Sequence, residues 1–138
     1  MKKTLDHIGV AVRHLDEAVN FYTNILGAVM IDRYRSEAPG VESEIAIMDV
    51  DGERTELLCP TNNTTSPIAR FIKQKGKGVH HIAYRVEDLE LAVSDLKNQG
   101  IRVMEDTRRT NKHGRRLIYL NPVDTEGTII EYCDYPDQ

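Results

Sequence analysis

The chain has no tryptophan, only two phenylalanines and only two cysteines in 138 residues. So few cysteines exclude the disulfide-dense scaffold of a small secreted protein, and Cys59 and Cys133 are expected as free thiols in a reducing compartment. No apolar run approaches the roughly 20 residues that a spanning helix needs. Lys2-Lys3 opens the N-terminus, but Asp6 and His7 interrupt any apolar run after it, so neither a secretory leader nor a membrane span is expected. The expected address is the cytoplasm. The net charge is −4, which gives no reason to expect nucleic acid or an anionic membrane as partner. With 40% hydrophobic and 29% charged residues, the composition is that of an ordinary globule, long enough to bury a core without staples.

The chain does contain an echo of itself. The string Val79-His80-His81-Ile82-Ala83-Tyr84-Arg85-Val86 is matched 74 positions earlier by His7-Ile8-Gly9-Val10-Ala11-Val12. Leu15, Ala18, Val19 and Tyr22 return as Leu89, Ala92, Val93 and Leu96. Thr55-Glu56-Leu57-Leu58-Cys59-Pro60 returns, with one residue of drift, as Ile130-Glu131-Tyr132-Cys133-Asp134-Tyr135-Pro136. A repeat at fixed spacing identifies two copies of one module. Each copy brings one histidine and one glutamate on predicted strands.

Local signals predict a β-α-β-β-β order in each copy. Leu5–Val12 alternates as a strand, and His14–Leu26 comes next as a helix with Leu15, Val19, Tyr22, Ile25 and Leu26 as its apolar stripe and Gly27 after its end. Ala28–Asp32 is a second strand and Arg33–Gly40 a polar loop. Glu44–Val50 and Thr55–Cys59 form a hairpin through Asp51-Gly52. Ser66-Pro67 starts a short linking helix with a capping serine and proline at its first turn. The second copy repeats the order with a strand at Val79–Val86, a helix at Asp88–Gln99, a strand at Ile101–Asp106, a basic loop at Arg108–Arg116, and a closing hairpin of Leu117–Leu120 and Thr128–Tyr132. A frayed tail is expected after Tyr135. The predicted fold class is α+β, two tandem βαβββ modules forming an open, cup-shaped mixed sheet. The expected domain is single, with module 1 at about 4–60, the linking helix at 66–75 and module 2 at about 78–136.

Strand alternation places His7 on one face with Gly9 and Ala11, and His81 on one face with Ala83. Small neighbours leave space beside each histidine. Glu56 and Glu131 lie among apolar residues, where a carboxylate is costly unless a cation or donors satisfy it. If the two sheets curve toward each other, His7, Glu56, His81 and Glu131 converge. Two neutral imidazoles and two carboxylates balance a divalent ion and leave octahedral positions open, as a catalytic site requires. The blander readings are a structural strand histidine and a solvent-facing strand glutamate; the recurrence of both pairs favours the metal reading. His80 points to the opposite face from His81. His14 and His113 are expected in solvent, the two cysteines as packing thiols, and the basic loop as a solvated turn with a phosphate-binding role as the sharper alternative.

At these residues the chain resembles the vicinal oxygen chelate superfamily, over essentially its whole length, and within it the methylmalonyl-CoA epimerases. The strings that carry the resemblance are Asp6-His7-Ile8-Gly9-Val10-Ala11-Val12, Phe21-Tyr22-x-x-Ile25-Leu26-Gly27, Glu56-Leu57-Leu58-x-Pro60, Ser66-Pro67-Ile68-Ala69-x-Phe71, Gly78-Val79-His80-His81-Ile82-Ala83 and Glu131-Tyr132. The resemblance implies a divalent metal (Co, Mn, Ni or Zn) held by His7, Glu56, His81 and Glu131. It also implies an acyl-CoA substrate, a homodimer, and 1,1-proton transfer interconverting (R)- and (S)-methylmalonyl-CoA through a stabilised enolate. The catalytic acid/bases it implies are Glu131 and a glutamate just after Gly40-Val41. Glu42, Ser43 and Glu44 share that position, and Glu44, at the start of the next strand, fits best with one inserted residue. Asn121-Pro122-Val123 departs from the His-Pro-Lys common in the final hairpin of these epimerases. The competing expectations are a lactoylglutathione lyase of the glyoxalase I type and a ligand-sequestering relative without catalysis. An extradiol dioxygenase fits less well, because that chemistry uses two histidines and one carboxylate.

Overall fold

The computed structural model describes the whole chain, Met1–Gln138. Its elements are β1 (Lys3–Ala11), α1 (Leu15–Asn24), β2 (Val29–Ser36), β3 (Ser43–Val50), β4 (Glu53–Pro60), α2 (Pro67–Lys75), β5 (Gly78–Val86), α3 (Leu89–Asn98), β6 (Val103–Thr110), β7 (Arg116–Leu120) and β8 (Ile130–Asp134). The β-α-β-β-β order therefore occurs twice with α2 between the copies, as the sequence repeat predicts. The chain divides into two compact units, one of His7–His80 and the other of Met1–Asp6 with His81–Gln138.

In the His7–His80 unit the strands run in the order β2-β3-β4-β1. β3 is antiparallel to β2 and β4, and β1 is parallel to β4. Asp51 and Gly52 both adopt positive φ (51° and 95°) between the paired residues Val50 and Glu53. That is the backbone a two-residue hairpin needs, and glycine takes it without steric cost. One face packs Ala46, Met48 and Leu57 against Leu15 of α1. The other packs Ala11, Ile45, Ile47 and Leu58 against Ile68 and Ile72 of α2. Helices cover both faces, so Ile45–Met48 are buried without interruption, the pattern of a strand with no solvent side. Helix α2 starts as predicted, with the Ser66 hydroxyl accepting from the Ala69 amide at 3.3 Å and Pro67 in its first turn.

Two expectations change in this unit. β2 continues to Ser36, through residues expected as loop, because opposite charges pair across the strands: Arg33 Nε donates to Glu44 Oε1 at 2.9 Å, and its Nη1 to Asp16 at 2.6 Å. Such cross-strand pairs hold a polar segment in a sheet without apolar alternation. The α1 stripe also stops short. Leu15 is buried and Val19 and Tyr22 pack beside it, but Ile25 is 69% exposed and Leu26 43%.

In the second unit the order is β5-β8-β7-β6, with β5 parallel to β8 and β7 antiparallel to β8 and β6. One face packs Val86, Ile118, Leu120 and Tyr132 against Leu89, Ala92 and Val93 of α3. Asp88 caps that helix through the Leu91 amide, and Asp134 accepts from the Leu89 amide at 2.8 Å and from Arg116 Nε at 2.8 Å. Burial alone would raise the Asp134 carboxyl; Arg116 and the amide outweigh it and hold it below its ordinary value. The expected basic loop is strand at both ends and turn only between them. β6 runs to Thr110, and the Asn111 side chain closes the turn by accepting from the His113 and Arg115 amides, as asparagine does in tight turns.

Candidate functional site

Within the His7–His80 unit, β1 carries His7, Gly9 and Ala11 on one face. The parallel register sets Gly9 opposite Glu56 and Ala11 opposite Leu58. Glu56 is therefore flanked by a residue without a side chain, and His7, one same-face step back, reaches toward its carboxylate. His7 Nε2 lies 3.6 Å from Glu56 Oε1, with both residues buried. The second unit repeats this. Ala83 stands opposite Glu131, and His81 Nε2 lies 3.5 Å from Glu131 Oε1, again with both buried. The cross-strand neighbours differ: Ile47 faces Glu56, whereas Tyr119 faces Glu131 and sets its ring edge-on to His81 at 5.6 Å.

These two nitrogen–oxygen separations exceed the 2.7–3.2 Å of an ordinary N–H···O bond. They lie closer to the spacing of two ligands that each stand about 2.1 Å from a shared ion, roughly 3.0 Å in octahedral and 3.4 Å in tetrahedral geometry. Burial, the neutral-imidazole and carboxylate donor set, and the small residue beside each carboxylate all fit a divalent cation. The structure thus brings His7 to Glu56 and His81 to Glu131.

Glu131 has a further neighbour, one that the sequence signals place in a solvated turn. Arg115 is buried, and its Nε stands 3.4 Å from Glu131 Oε2 while Nη1 stands 3.7 Å from Asp6. The Tyr135 hydroxyl donates to Asp6 Oδ2 at 2.8 Å, and the Arg85 guanidinium lies 4.4 Å above the Tyr135 ring. Burial, reinforced by the Asp6 carboxylate, pushes the Tyr135 phenol up. The Glu131 carboxylate is thereby divided, one oxygen toward an imidazole and the other toward a guanidinium. The available signal was parity, since Arg115 precedes Leu117 and Tyr119 at strand spacing.

The three residues that share the expected base position lie in different surroundings. The register pairs Ile47 with Glu56, so Ser43, Ile45 and Ile47 share the Glu56 face, and Glu44 falls on the α1 face with Ala46 and Met48. There Arg33 holds its carboxylate. Ser43 is on the Glu56 face but buried, donating to the Val41 carbonyl at 2.8 Å. Glu42 has φ of 42°, and its carboxylate accepts from Asn62 Nδ2 at 3.0 Å and from the Thr65 hydroxyl. Those donors hold it below the usual carboxylate range. His80 sets its ring edge-on to Phe71 at 4.8 Å, and burial lowers it to about 4, so it is neutral at pH 7. Cys59 and Cys133 are free thiols, and burial pushes Cys59 up.

Residues 6–119 match the profile of the Glyoxalase/Bleomycin resistance protein/Dioxygenase superfamily. The chain is 36% identical over 128 residues to the mitochondrial methylmalonyl-CoA epimerase of Homo sapiens, a match covering 92% of this chain and 71% of that one. It is 34% identical over 129 residues to the ethylmalonyl-CoA/methylmalonyl-CoA epimerase of Cereibacter sphaeroides, covering 92% and 94%. Among solved structures it is similar to a variant of the Streptomyces coelicolor methylmalonyl-CoA epimerase in complex with 2-nitronate-propionyl-CoA, with a TM-score of 0.85 and 29% identity over 97% of this chain and 95% of that one. The likeness spans both halves, so the fold is the glyoxalase-like one expected from the repeat.

Removing the guanidinium beside Glu131 leaves a buried carboxylate short of its cation, a loss of about 3 kcal/mol. Arg115→Gln is therefore expected to lower the stability of the metal-free protein by that amount in denaturant titration, and Arg115→Lys to restore part of it. A Gln variant as stable as the parent would mean that Arg115 does not support Glu131.

Proposed function

The chain belongs to the Glyoxalase/Bleomycin resistance protein/Dioxygenase superfamily, and within it we propose an isomerase that interconverts (R)- and (S)-methylmalonyl-CoA by 1,1-proton transfer. The observation that carries this reading is the mirrored pair of buried His–Glu contacts, His7 with Glu56 and His81 with Glu131, each beside a glycine or alanine. The human and Cereibacter relatives carry the names of methylmalonyl-CoA and ethylmalonyl-CoA epimerases, which supports the substrate class.

We assign all four side chains to one divalent ion (Co, Mn, Ni or Zn). Bound there, it would supply Lewis acidity to the enolate that forms when the α-proton between thioester and carboxylate leaves, worth several kcal/mol. The protein's own contribution is positioning. Gly9 and Ala83 keep the space beside the carboxylates open to substrate oxygens. Arg115 occupies Glu131 Oε2, which leaves Oε1 as the oxygen on the His81 side. The hydrophobic packing around Leu58, Ile45 and Ile47 limits water near the reacting carbon.

Epimerisation requires a proton donor and acceptor on opposite faces of the planar intermediate. We assign Glu131 to one face. For the other, Glu44 is committed to Arg33 on the helix face, which leaves Glu42 as the remaining carboxylate of the three candidates. Residues Phe21, Ile25, Leu26, Val29, Met30 and Ile31 are all exposed within eleven positions, a concentration of apolar surface that supports a homodimer. We place the activity in the cytoplasm, and no helix is long and apolar enough to cross a membrane.

Solvent deuterium exchange at the α-carbon of methylmalonyl-CoA tests the chemistry. Metal-loaded parent protein is expected to exchange and racemise. Glu131→Gln and Glu42→Gln are expected to lose exchange by about 100-fold or more, as for removal of a general base, and Glu44→Gln to retain it. Loss of exchange in Glu44→Gln with Glu42→Gln intact would return the second base to Glu44. No exchange in the loaded parent would remove the epimerase reading. Sedimentation is expected to give twice the 15.7 kDa chain mass, and Ile25→Asp to shift that toward one; a parent protein sedimenting as a single chain would remove the dimer.

A further inference from the structure

Strand β8 ends at Asp134, yet the next residue, Tyr135, is held from two sides. The Arg85 guanidinium lies 4.4 Å above its ring, a cation–π contact that fixes the ring plane. The Tyr135 hydroxyl donates to Asp6 Oδ2 at 2.8 Å. Alternation puts Tyr135 on the strand face that carries Glu131, and Arg85 joins it there because it stands opposite Cys133. On the other side of Asp6, Arg115 Nη1 is 3.7 Å from Oδ1, and Arg115 Nε is 3.4 Å from Glu131 Oε2. The series Tyr135–Asp6–Arg115–Glu131 lies wholly within the unit formed by Met1–Asp6 and His81–Gln138.

The guanidinium in the middle of this series is shared. Two carboxylates, Asp6 and Glu131, face it, and both separations exceed the 2.7–2.9 Å of a charge-assisted N–H···O bond. Arg116, in the same unit, shows the committed alternative: its Nε donates to Asp134 Oδ1 at 2.8 Å, and its Nη2 to the second oxygen of that carboxylate. Only 12% of the Asp6 side chain and 8% of the Arg115 side chain meet solvent, so salt and water screen the competition weakly. A change at either carboxylate therefore moves the guanidinium. The Tyr135 hydroxyl makes such a difference. It satisfies one oxygen of Asp6, weakens that carboxylate's draw on Arg115, and leaves Nε to Glu131.

We propose that Tyr135 and Asp6 are positioning residues for Glu131, setting how much of the Arg115 guanidinium that carboxylate receives and how much of its charge is left for a cation. The link from Tyr135 to Glu131 stands on these contacts alone. Its bearing on a bound metal and on proton transfer rests on the proposed function. Two near-isosteric changes push the guanidinium in opposite directions. Tyr135→Phe removes the donor to Asp6, so Asp6 draws Arg115 away from Glu131. Asp6→Asn removes the competing charge, so Arg115 closes on Glu131. A purely structural role would move both variants the same way.

In the metal-free full-length protein, the Nε–H resonance of Arg115, identified by its loss in Arg115→Lys, reads the contact without turnover. It is expected to shift and to exchange faster with solvent in Tyr135→Phe, and to stay protected in Asp6→Asn. Calorimetric titration with Co(II) is expected to give binding about tenfold tighter in Tyr135→Phe and about tenfold weaker in Asp6→Asn, the lower range for groups that orient a metal ligand. Both variants are expected to lose kcat for α-proton exchange about tenfold, with KM for methylmalonyl-CoA within about twofold, because orientation is lost and binding is not. An Nε–H signal unmoved by Tyr135→Phe overturns the link. Co(II) affinity at or below the parent's in Tyr135→Phe, or at or above it in Asp6→Asn, overturns the positioning role. A signal that shifts as expected, in a protein whose parent binds no Co(II), keeps the link and removes the metal. Affinities that move in opposite directions, in a protein without exchange at the α-carbon, keep the positioning role and remove the epimerase reading.

Discussion

Burying a carboxylate costs several kcal/mol unless something of opposite charge, or a set of donors, replaces its water. Glu56 is 4% exposed and Glu131 1%, and much of the local sequence is arranged around that cost. Each carboxylate has a residue of minimal size opposite it, Gly9 or Ala83, and an imidazole one step away. Packing alone would place a branched aliphatic residue at all of these positions, as it does at Leu57 and Ile118. The protein tolerates two expensive groups at matched positions, and each stands farther from its histidine than an ordinary hydrogen bond would set it.

The two halves meet this demand differently. By the count that pairs Ile47 with Glu56 and Tyr119 with Glu131, Ser43 and Arg115 occupy equivalent places, opposite Pro60 and Tyr135. One half therefore has a small hydroxyl turned back on its own backbone, and the other a buried guanidinium tied to Asp6. The difference arises from the cover over each sheet. In the His7–His80 unit, α2 lays Ile68 and Ile72 over the face that carries Glu56. In the second module the corresponding face carries Arg85, Arg115 and Tyr135. Duplication supplied a symmetric pair of histidines and glutamates, and divergence surrounded the two halves with apolar cover in one case and charge in the other.

Much of this was legible without coordinates, because repeat and alternation are local signals. The offset between His7 and His81, the matched glutamates, the Asp51-Gly52 turn and the Ser66-Pro67 helix start all lie in short strings whose geometry depends on near neighbours. The features that escaped detection depend on distant ones. β2 and β6 run into polar residues that form strand only because Glu44 and Asp16 wait for Arg33, and because Tyr119 and Leu117 supply backbone partners for β6. The side taken by Glu44 was hidden for a related reason. Ile45–Met48 are apolar without interruption, since both faces of β3 are buried, and a strand without alternation does not reveal which side its flanking glutamate takes. Arg115 was masked by Gly114 and the basic residues around it, which read as turn although β7 begins at Arg116.

The proposed function requires one ion shared by two modules. Native mass spectrometry of the full-length protein, stripped of metal and then titrated with Co(II) or Zn(II), counts ions per chain directly. One ion per chain is predicted for the parent, with binding lost in His7→Ala and equally in His81→Ala. Two ions per chain, or a full complement retained when either histidine is removed, would show that the His7–Glu56 and His81–Glu131 pairs do not serve a common centre.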